Sequence, residues 1–183
     1  MSQPATGRLL VATPNLEEPN FRRTVILLCA HSEEGSFGLV LNRPLPERVA
    51  DHLPEWGEFV GEPPVLFRGG PVERGAVFAV AAGDDLPVDR WGLRVRPGLG
   101  LIDPAKGPAS FDGRLARTRF FVGYAGWGGG QLEGEIAAHG WFVVDADLGD
   151  PFHEPEALWR DVLRRQRGEL ARYASHPQAP GLN

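Results

Sequence analysis

The sequence contains almost no cysteine, since Cys29 is the one cysteine among 183 residues. A single cysteine excludes an intramolecular disulfide framework and any zinc site built from several thiolates. Cys29 lies inside the apolar run ILLCA, where burial raises the pKa of a thiol. We therefore interpret Cys29 as a small core residue. The alternative, a nucleophile paired with His31 on the same strand face, would need a third group to orient the histidine.

Positive charge is also scarce. The 19 Lys and Arg residues are outnumbered by 24 Asp and Glu residues, which gives a formal net charge of −5. Because attraction to phosphates supplies most non-specific affinity for nucleic acids, we do not expect direct nucleic-acid binding. A DNA-binding regulator is therefore the third interpretation, after the binding protein and the enzyme that are described below. Arg160, Arg164 and Arg167 share one helical face, but Asp161 and Glu169 dilute their charge, so we interpret this face as solvated.

Long hydrophobic runs are missing as well. No segment approaches the ~20 apolar residues that span a bilayer, and the first ten residues contain no apolar stretch of signal-peptide length. We therefore expect a cytoplasmic protein with no membrane partner. The length and the 42% hydrophobic content suffice for one domain with a substantial core. We expect a single domain over residues 1–183, with flexible ends at 1–6 and 178–183.

Short apolar segments bounded by turn residues dominate the chain and predict strands. These segments are 8–12, 24–30, 36–42, 64–72, 75–83, 91–103, 118–126 and 141–147. We expect 64–72 and 75–83 to pair with each other across a glycine turn, and 91–103 to form one half-exposed strand. Segment 42–53 is predicted to be a loop followed by a short helix, and a second helix is predicted at 131–139. The last helix is predicted to begin near Pro155, with an inner stripe formed by Leu158, Trp159, Val162 and Leu163. Many strands with few helices predict an α+β fold.

Glycine is abundant, and one stretch, GYAGWGGGQLEGEI at 123–136, leads from a predicted strand through a glycine-rich turn into a predicted helix. Such a turn can bind an anion. It does not match a phosphate-binding P-loop, because Gly129 and Gly130 stand where lysine and a hydroxyl residue are needed. It also lacks the third glycine of a dinucleotide fingerprint. We therefore favour a structural turn and expect no cofactor.

The sequence shows no metal-binding motif. The five histidines include no pair at helical ligand spacing. The acidic run at 145–156 departs from a calcium loop because Gly149 occupies the fifth position instead of the sixth. We expect no metal, although a site assembled from distant residues stays open.

Several strings in order, namely EEPNF, H…EEG…GLVLNRP, GGPV and GYAGWGGGQLEGEI…W, resemble the AlgH/YqgE family of small bacterial proteins over nearly the whole chain. The resemblance implies one α+β domain with a bifurcated mixed β-sheet, part of it curled into a small barrel, flanked by helices. It also implies a family label as transcriptional regulators, without an established activity. One departure is Ala81, which stands where the resemblance leads us to expect a histidine.

The polar motif residues lie mainly at turns and helix starts, where binding residues tend to occur. We expect the NRP turn, the GGP turn and the GWGGGQLE segment to form one shallow groove that binds a protein or a small polar ligand without catalysis. The predicted groove residues are His31, Asn42, Arg43, Gly69, Gly70, Pro71, Tyr124, Trp127, Gln131 and Glu135. The alternative is an enzyme in which His31 and Glu135 act as base and acid, supported by Arg43.

Overall fold

Ten strands and four short α-helices, with five 3₁₀ helices of one turn in the connections, form the regular structure of the residues that the computed structural model describes, 3–177. The strands are β1 (Arg8–Ala12), β2 (Val25–Ser32), β3 (Gly35–Val40), β4 (Pro44–Arg48), β5 (Val65–Arg68), β6 (Val72–Ala82), β7 (Leu93–Arg96), β8 (Leu99–Ile102), β9 (Arg117–Gly128) and β10 (Trp141–Asp145). The helices are α1 (Val49–His52), α2 (Gln131–Ala137), α3 (Pro155–Arg164) and α4 (Leu170–Tyr173). Most of the predicted flexible ends, residues 1–2 and 178–183, lie outside the described residues.

The sheet branches at β9. One edge of β9 pairs with β6, whereas the other edge pairs first with β5, at Phe121 and Val122, and then with β3, from Ala125 onward. One arm continues as β3-β2-β1-β10, and the other as β6-β8-β7. The β5–β9 pairing is parallel and the other pairings within residues 3–177 are antiparallel. The predicted α+β class is confirmed. The predicted small barrel is not, because no pairing among these residues closes the sheet.

Between β5 and β6 the chain crosses over the backbone of β9. Gly69 and Gly70 form this crossing at Gly123 and Tyr124. A Cβ on Gly70 would lie 2.1 Å from the Tyr124 carbonyl, and a Cβ on Gly69 would lie 2.3 Å from the Gly123 oxygen. Glycine is therefore the residue that permits this approach. The predicted pairing of 64–72 with 75–83 is wrong, because β9 lies between the two strands.

Two further predictions about strands need correction. Segment 91–103 is a hairpin of β7 and β8 and not one strand, because the chain turns at Pro97 and Gly98, whose φ is +77°. Segment 44–48, expected to be loop, pairs with β5 as β4. The helix predicted to follow it is the single turn α1.

Both faces of the β3-β2-β1-β10 arm are covered, which explains its continuous apolar runs. Along β2, Leu27 and Cys29 pack in the core on the α3 side, whereas Ile26 and Leu28 pack in the core on the α2 side. The predicted inner stripe of the last helix is confirmed, since four of its residues are buried: Leu158, Trp159, Val162 and Leu163. No helix within residues 3–177 has the length and apolar character needed to cross a bilayer.

Candidate functional site

The NRP turn holds the loop 18–24, which we call the arginine loop. Asn42 accepts a hydrogen bond from the Val25 N–H at its Oδ1 (3.0 Å) and donates from Nδ2 to the Arg23 carbonyl (2.9 Å). Arg43 donates from Nη2 to the Arg22 carbonyl (2.5 Å). Burial, followed by the nearby charge of Arg22, lowers the pKa of Arg43. Two of the predicted groove residues thus use their polar groups to fix the backbone of one loop.

The GWGGGQLE segment and β10 each contact the same loop through one tryptophan, Trp127 and Trp141. The Nε1–H groups of Trp127 and Trp141 both donate to Glu135 Oε2, each over 2.9 Å. Gln131 Nε2 lies 3.3 Å from the other carboxylate oxygen of Glu135. Phe21 of the arginine loop packs on both indoles, with ring centroids 6.5 and 5.7 Å away. Glu135 therefore orients the aromatic surface against which the arginine loop rests.

The GGP turn lies beside the NRP turn, because the Arg68 N–H donates to the Arg43 carbonyl over 2.8 Å. Gly69 and Gly70 are buried by the crossing, and Pro71 is half-buried. Tyr124 packs against Phe37 and Phe78. These contacts account for the motif as architecture, while ligand binding by its residues stays a prediction.

His31 has different neighbours from those expected for a catalytic pair with Glu135. His31 Nδ1 lies 2.7 Å from Ser36 Oγ, and His31 Nε2 lies 3.3 Å from Glu133 Oε1. Within residues 3–177 no hydrogen bond joins His31 to Glu135 or to Arg43. The set His31, Glu135 and Arg43 therefore lacks the base–acid contact that the enzymatic alternative requires. The observed contacts tie the β2–β3 hairpin to α2.

A cavity of about 300 Å³, which we call the arginine pocket, opens where the arginine loop meets the end of β1 and helix α3. Residues that line it include Thr13, Leu16, Glu17, Arg22, Arg23 and Trp159. The Arg23 guanidinium stacks 4.0 Å from the centroid of the Trp159 ring and donates to the His176 carbonyl over 3.0 Å. Burial, followed by the charges of Arg160 and Arg22, lowers the pKa of Arg23. Several guanidinium groups thus lie close enough to repel one another.

Arg22 and Arg119 illustrate two different uses of arginine in this chain. Arg119 is buried, and its two terminal nitrogens donate to the four backbone carbonyls of Glu62, Pro151, Phe152 and His153. Burial lowers its pKa to about 10. The Arg22 side chain, in contrast, has no hydrogen-bond or ion-pair partner within residues 3–177 and lines the open pocket. Arg119 is a structural clamp, whereas Arg22 has donors available to a ligand.

Comparison with known proteins decides the family. A family model described as AlgH-like matches residues 9–171. The chain belongs to the AlgH-like family. A UPF0301 protein of Streptomyces coelicolor is 49% identical to the AlgH-like chain over 187 residues, which cover 97% of this chain and 95% of the relative. A UPF0301 protein of Mycobacterium tuberculosis is 41% identical, with 93% of this chain and 87% of the relative covered. The predicted resemblance is confirmed, and these names state no activity.

Solved structures give the same assignment. A crystal structure of a Corynebacterium diphtheriae protein matches the AlgH-like chain with a TM-score of 0.86 and 32% identity, covering 95% of this chain and 93% of that one. The solution structure of AlgH from Pseudomonas aeruginosa matches with a TM-score of 0.67 and 26% identity, covering 98% and 100%. The relationship therefore extends over the complete fold.

Ala81, the departure from the expected family pattern, lies in a buried cluster of the AlgH-like chain with Trp56 and Phe120. A histidine would have to bury a polar ring at this position, and the cluster around Ala81 is apolar. No histidine-based chemistry can therefore start from position 81 in this chain.

The arginine pocket is not predictable from the sequence pattern. Arg22 and Arg23 directly follow the family string EEPNF, but nothing in their spacing predicts contact with Trp159, which lies 136 residues after Arg23. The available signal was local: two adjacent arginines in a polar loop of a chain with net negative charge.

Proposed function

We propose that this AlgH-like protein is a non-enzymatic binding module that holds a small anion in the arginine pocket. The observation that carries the proposal is the Arg22 side chain, which lines a cavity of about 300 Å³ beside Arg23 and has no partner within residues 3–177. A guanidinium offers several N–H donors in a planar fork that fits carboxylate and phosphate oxygens. Glu17 also lines the pocket and offsets part of this charge, so the two arginines leave a positive balance.

The three family motifs support this proposal by positioning the arginine loop. The NRP turn fixes the loop backbone, Trp127 and Trp141 pack on Phe21, and the GGP turn lies beside the NRP turn. The groove expected from these motifs is accordingly proposed as the support of the binding site.

The backbone of Arg23 adds a second argument. Its φ is +54°, in the left-handed region that costs a residue other than glycine about 1 kcal/mol or more. Asn42 stabilises this conformation by donating to the Arg23 carbonyl. Glycine would relieve the strain, whereas the arginine brings a guanidinium to Trp159. The regulatory role that the family label implies would then depend on ligand binding and not on direct contact with DNA.

The proposal is tested by isothermal titration calorimetry with acetate and with inorganic phosphate at low salt. We expect at least one of these anions to bind the wild type, and Arg22→Gln to weaken that binding by about tenfold, the loss of a charge-assisted hydrogen bond. Arg74→Gln is the matched control, because Arg74 is exposed on β6 and does not line the pocket. Equal affinity in wild type and Arg22→Gln, or no binding of either anion, would overturn the proposal.

A further inference from the structure

A second cavity, of about 380 Å³, adjoins the arginine pocket, and Thr13 lines both. We call it the apolar pocket, because most of its lining is hydrophobic: Ile136, Trp141, Phe142, Val143 and Leu170. It opens between the edge strand β10, the end of α2 and the start of α4. Solvent-accessible apolar cavities of a few hundred cubic ångströms are typical binding sites for small molecules.

Thr13 and Trp141 use their polar groups inside the protein, whereas His139, which also lines the apolar pocket, is exposed. Thr13 donates from Oγ1 to the His139 carbonyl (2.6 Å) and from its N–H to the Gly140 carbonyl (3.0 Å). The Trp141 Nε1–H donates to Glu135. Thr13 therefore leaves its methyl group, and Trp141 its ring, to contact an occupant. At Thr13, where the two pockets meet, the ligand therefore needs no polar group to pair with the protein.

We infer that the natural ligand is an amphipathic organic anion, whose carboxylate or phosphate head binds in the arginine pocket and whose hydrocarbon tail lies in the apolar pocket. This inference rests on the anion site proposed above and adds the chemical class of the ligand. Charge complementarity selects the head group, because Arg22 and Arg23 line the first pocket. The apolar lining, which begins at the shared residue Thr13, selects the tail.

The volumes favour a small amphiphile over a protein segment. The two cavities measure about 300 and 380 Å³. Pockets for single small molecules fall in the range of roughly 300–1,000 Å³. A partner strand added to the free edge of β10 would bind mainly through backbone hydrogen bonds. Such a partner would not need Arg22, which gives the two occupants different sensitivities to substitution.

The test is a calorimetric series of carboxylates with increasing tail length: acetate, butanoate, hexanoate and octanoate, each below its micelle concentration. We expect the affinity of the wild type to rise by about two- to fourfold per added methylene, as buried hydrocarbon contributes to binding. Arg22→Gln should weaken every member of the series by a similar factor. Octanol, which has the tail without the charge, should bind at least tenfold more weakly than octanoate.

A variant of the apolar pocket separates the tail from the head. Leu170→Gln should flatten the rise with tail length while acetate binds as in the wild type. Leu148→Gln is the matched control, because Leu148 is 40% exposed and lies outside both pockets. Thermal unfolding establishes whether both variants are folded, and if Leu170→Gln is unstable, the smaller truncation Leu170→Ala should reduce the rise while Leu170→Met keeps it.

The outcomes distinguish this inference from the proposed function. If acetate or phosphate binding depends on Arg22 but affinity does not rise with tail length, the inference of an amphipathic ligand is overturned. The proposed anion site would then remain supported. Octanol binding as tightly as octanoate would overturn the requirement for charge. Binding of no anion at all would overturn the proposed function itself.

Discussion

At the scale of single residues, Glu135 shows how a motif carboxylate can serve the structure. It is half-buried and accepts two indole N–H groups at one oxygen while Gln131 approaches the other. A buried donor that loses its acceptor costs about 1–3 kcal/mol. Glu135 therefore stabilises the aromatic contact between α2, β9 and β10.

Glu135→Ala should lower the free energy of unfolding by about 3 kcal/mol, because Trp127 and Trp141 both lose their acceptor. Glu135→Gln should lower it by about 1 kcal/mol, since the amide oxygen still accepts. Urea unfolding followed by tryptophan fluorescence measures both values. Glu133→Ala is the control, because Glu133 is substantially exposed and an exposed ion pair contributes little. A stability of Glu135→Ala equal to that of the wild type would show that the two indoles do not depend on this carboxylate.

At the scale of secondary-structure elements, the crossing of Gly69 and Gly70 over β9 determines the order of the strands. β5 and β6 lie on opposite edges of β9, so the connecting backbone must pass across that strand. The passage leaves no room for a Cβ at Gly70.

Gly70→Ala should lower the free energy of unfolding by more than about 3 kcal/mol, which exceeds the usual cost of an overpacked side chain. The reason is that the new methyl group meets backbone atoms, which cannot rotate away as a side chain can. Gly75→Ala, also in the GGP-to-β6 region, is the control, since a Cβ there meets nothing within 4 Å. We expect its stability to stay within about 0.5 kcal/mol of the wild type. Chemical denaturation compares the variants, and a Gly70→Ala midpoint equal to that of Gly75→Ala would contradict the crossing.

The sequence predicts those elements whose own residues are apolar enough to indicate burial. The runs at 8–12, 118–126 and 141–147 are apolar enough to predict β1, β9 and β10. β4 contains two prolines and is mostly exposed, so its pairing with β5 comes from tertiary context. The arginine pocket also depends on tertiary context, because Arg23 contacts Trp159 only once α3 packs against the sheet.

At the scale of the whole molecule, the position of Cys29 makes it a probe of cooperativity. Cys29 lies in β2, which has neighbours on both edges, and it is fully buried in the core that α3 covers. A thiol reagent can therefore reach it only when this core opens. Burial raises the pKa of the thiol from 9.0 to about 12.

Labelling of Cys29 by a thiol reagent should follow global unfolding, with the same denaturant midpoint as tryptophan fluorescence. Stability should also fall as the pH rises from 9 to 12. The unfolded thiol ionises from about pH 9, whereas the folded thiol stays protonated until about pH 12, so the unfolded state binds fewer protons in this window. The Cys29 thiol accounts for at most one proton of the difference between the two states. Cys29→Ala should therefore reduce the slope of the free energy of unfolding against pH by up to about 1.4 kcal/mol per pH unit. Rapid labelling in the absence of denaturant would show that the sheet opens locally at β2 without losing the rest of the fold. An unchanged alkaline slope in Cys29→Ala would show that folding does not raise the pKa of this thiol.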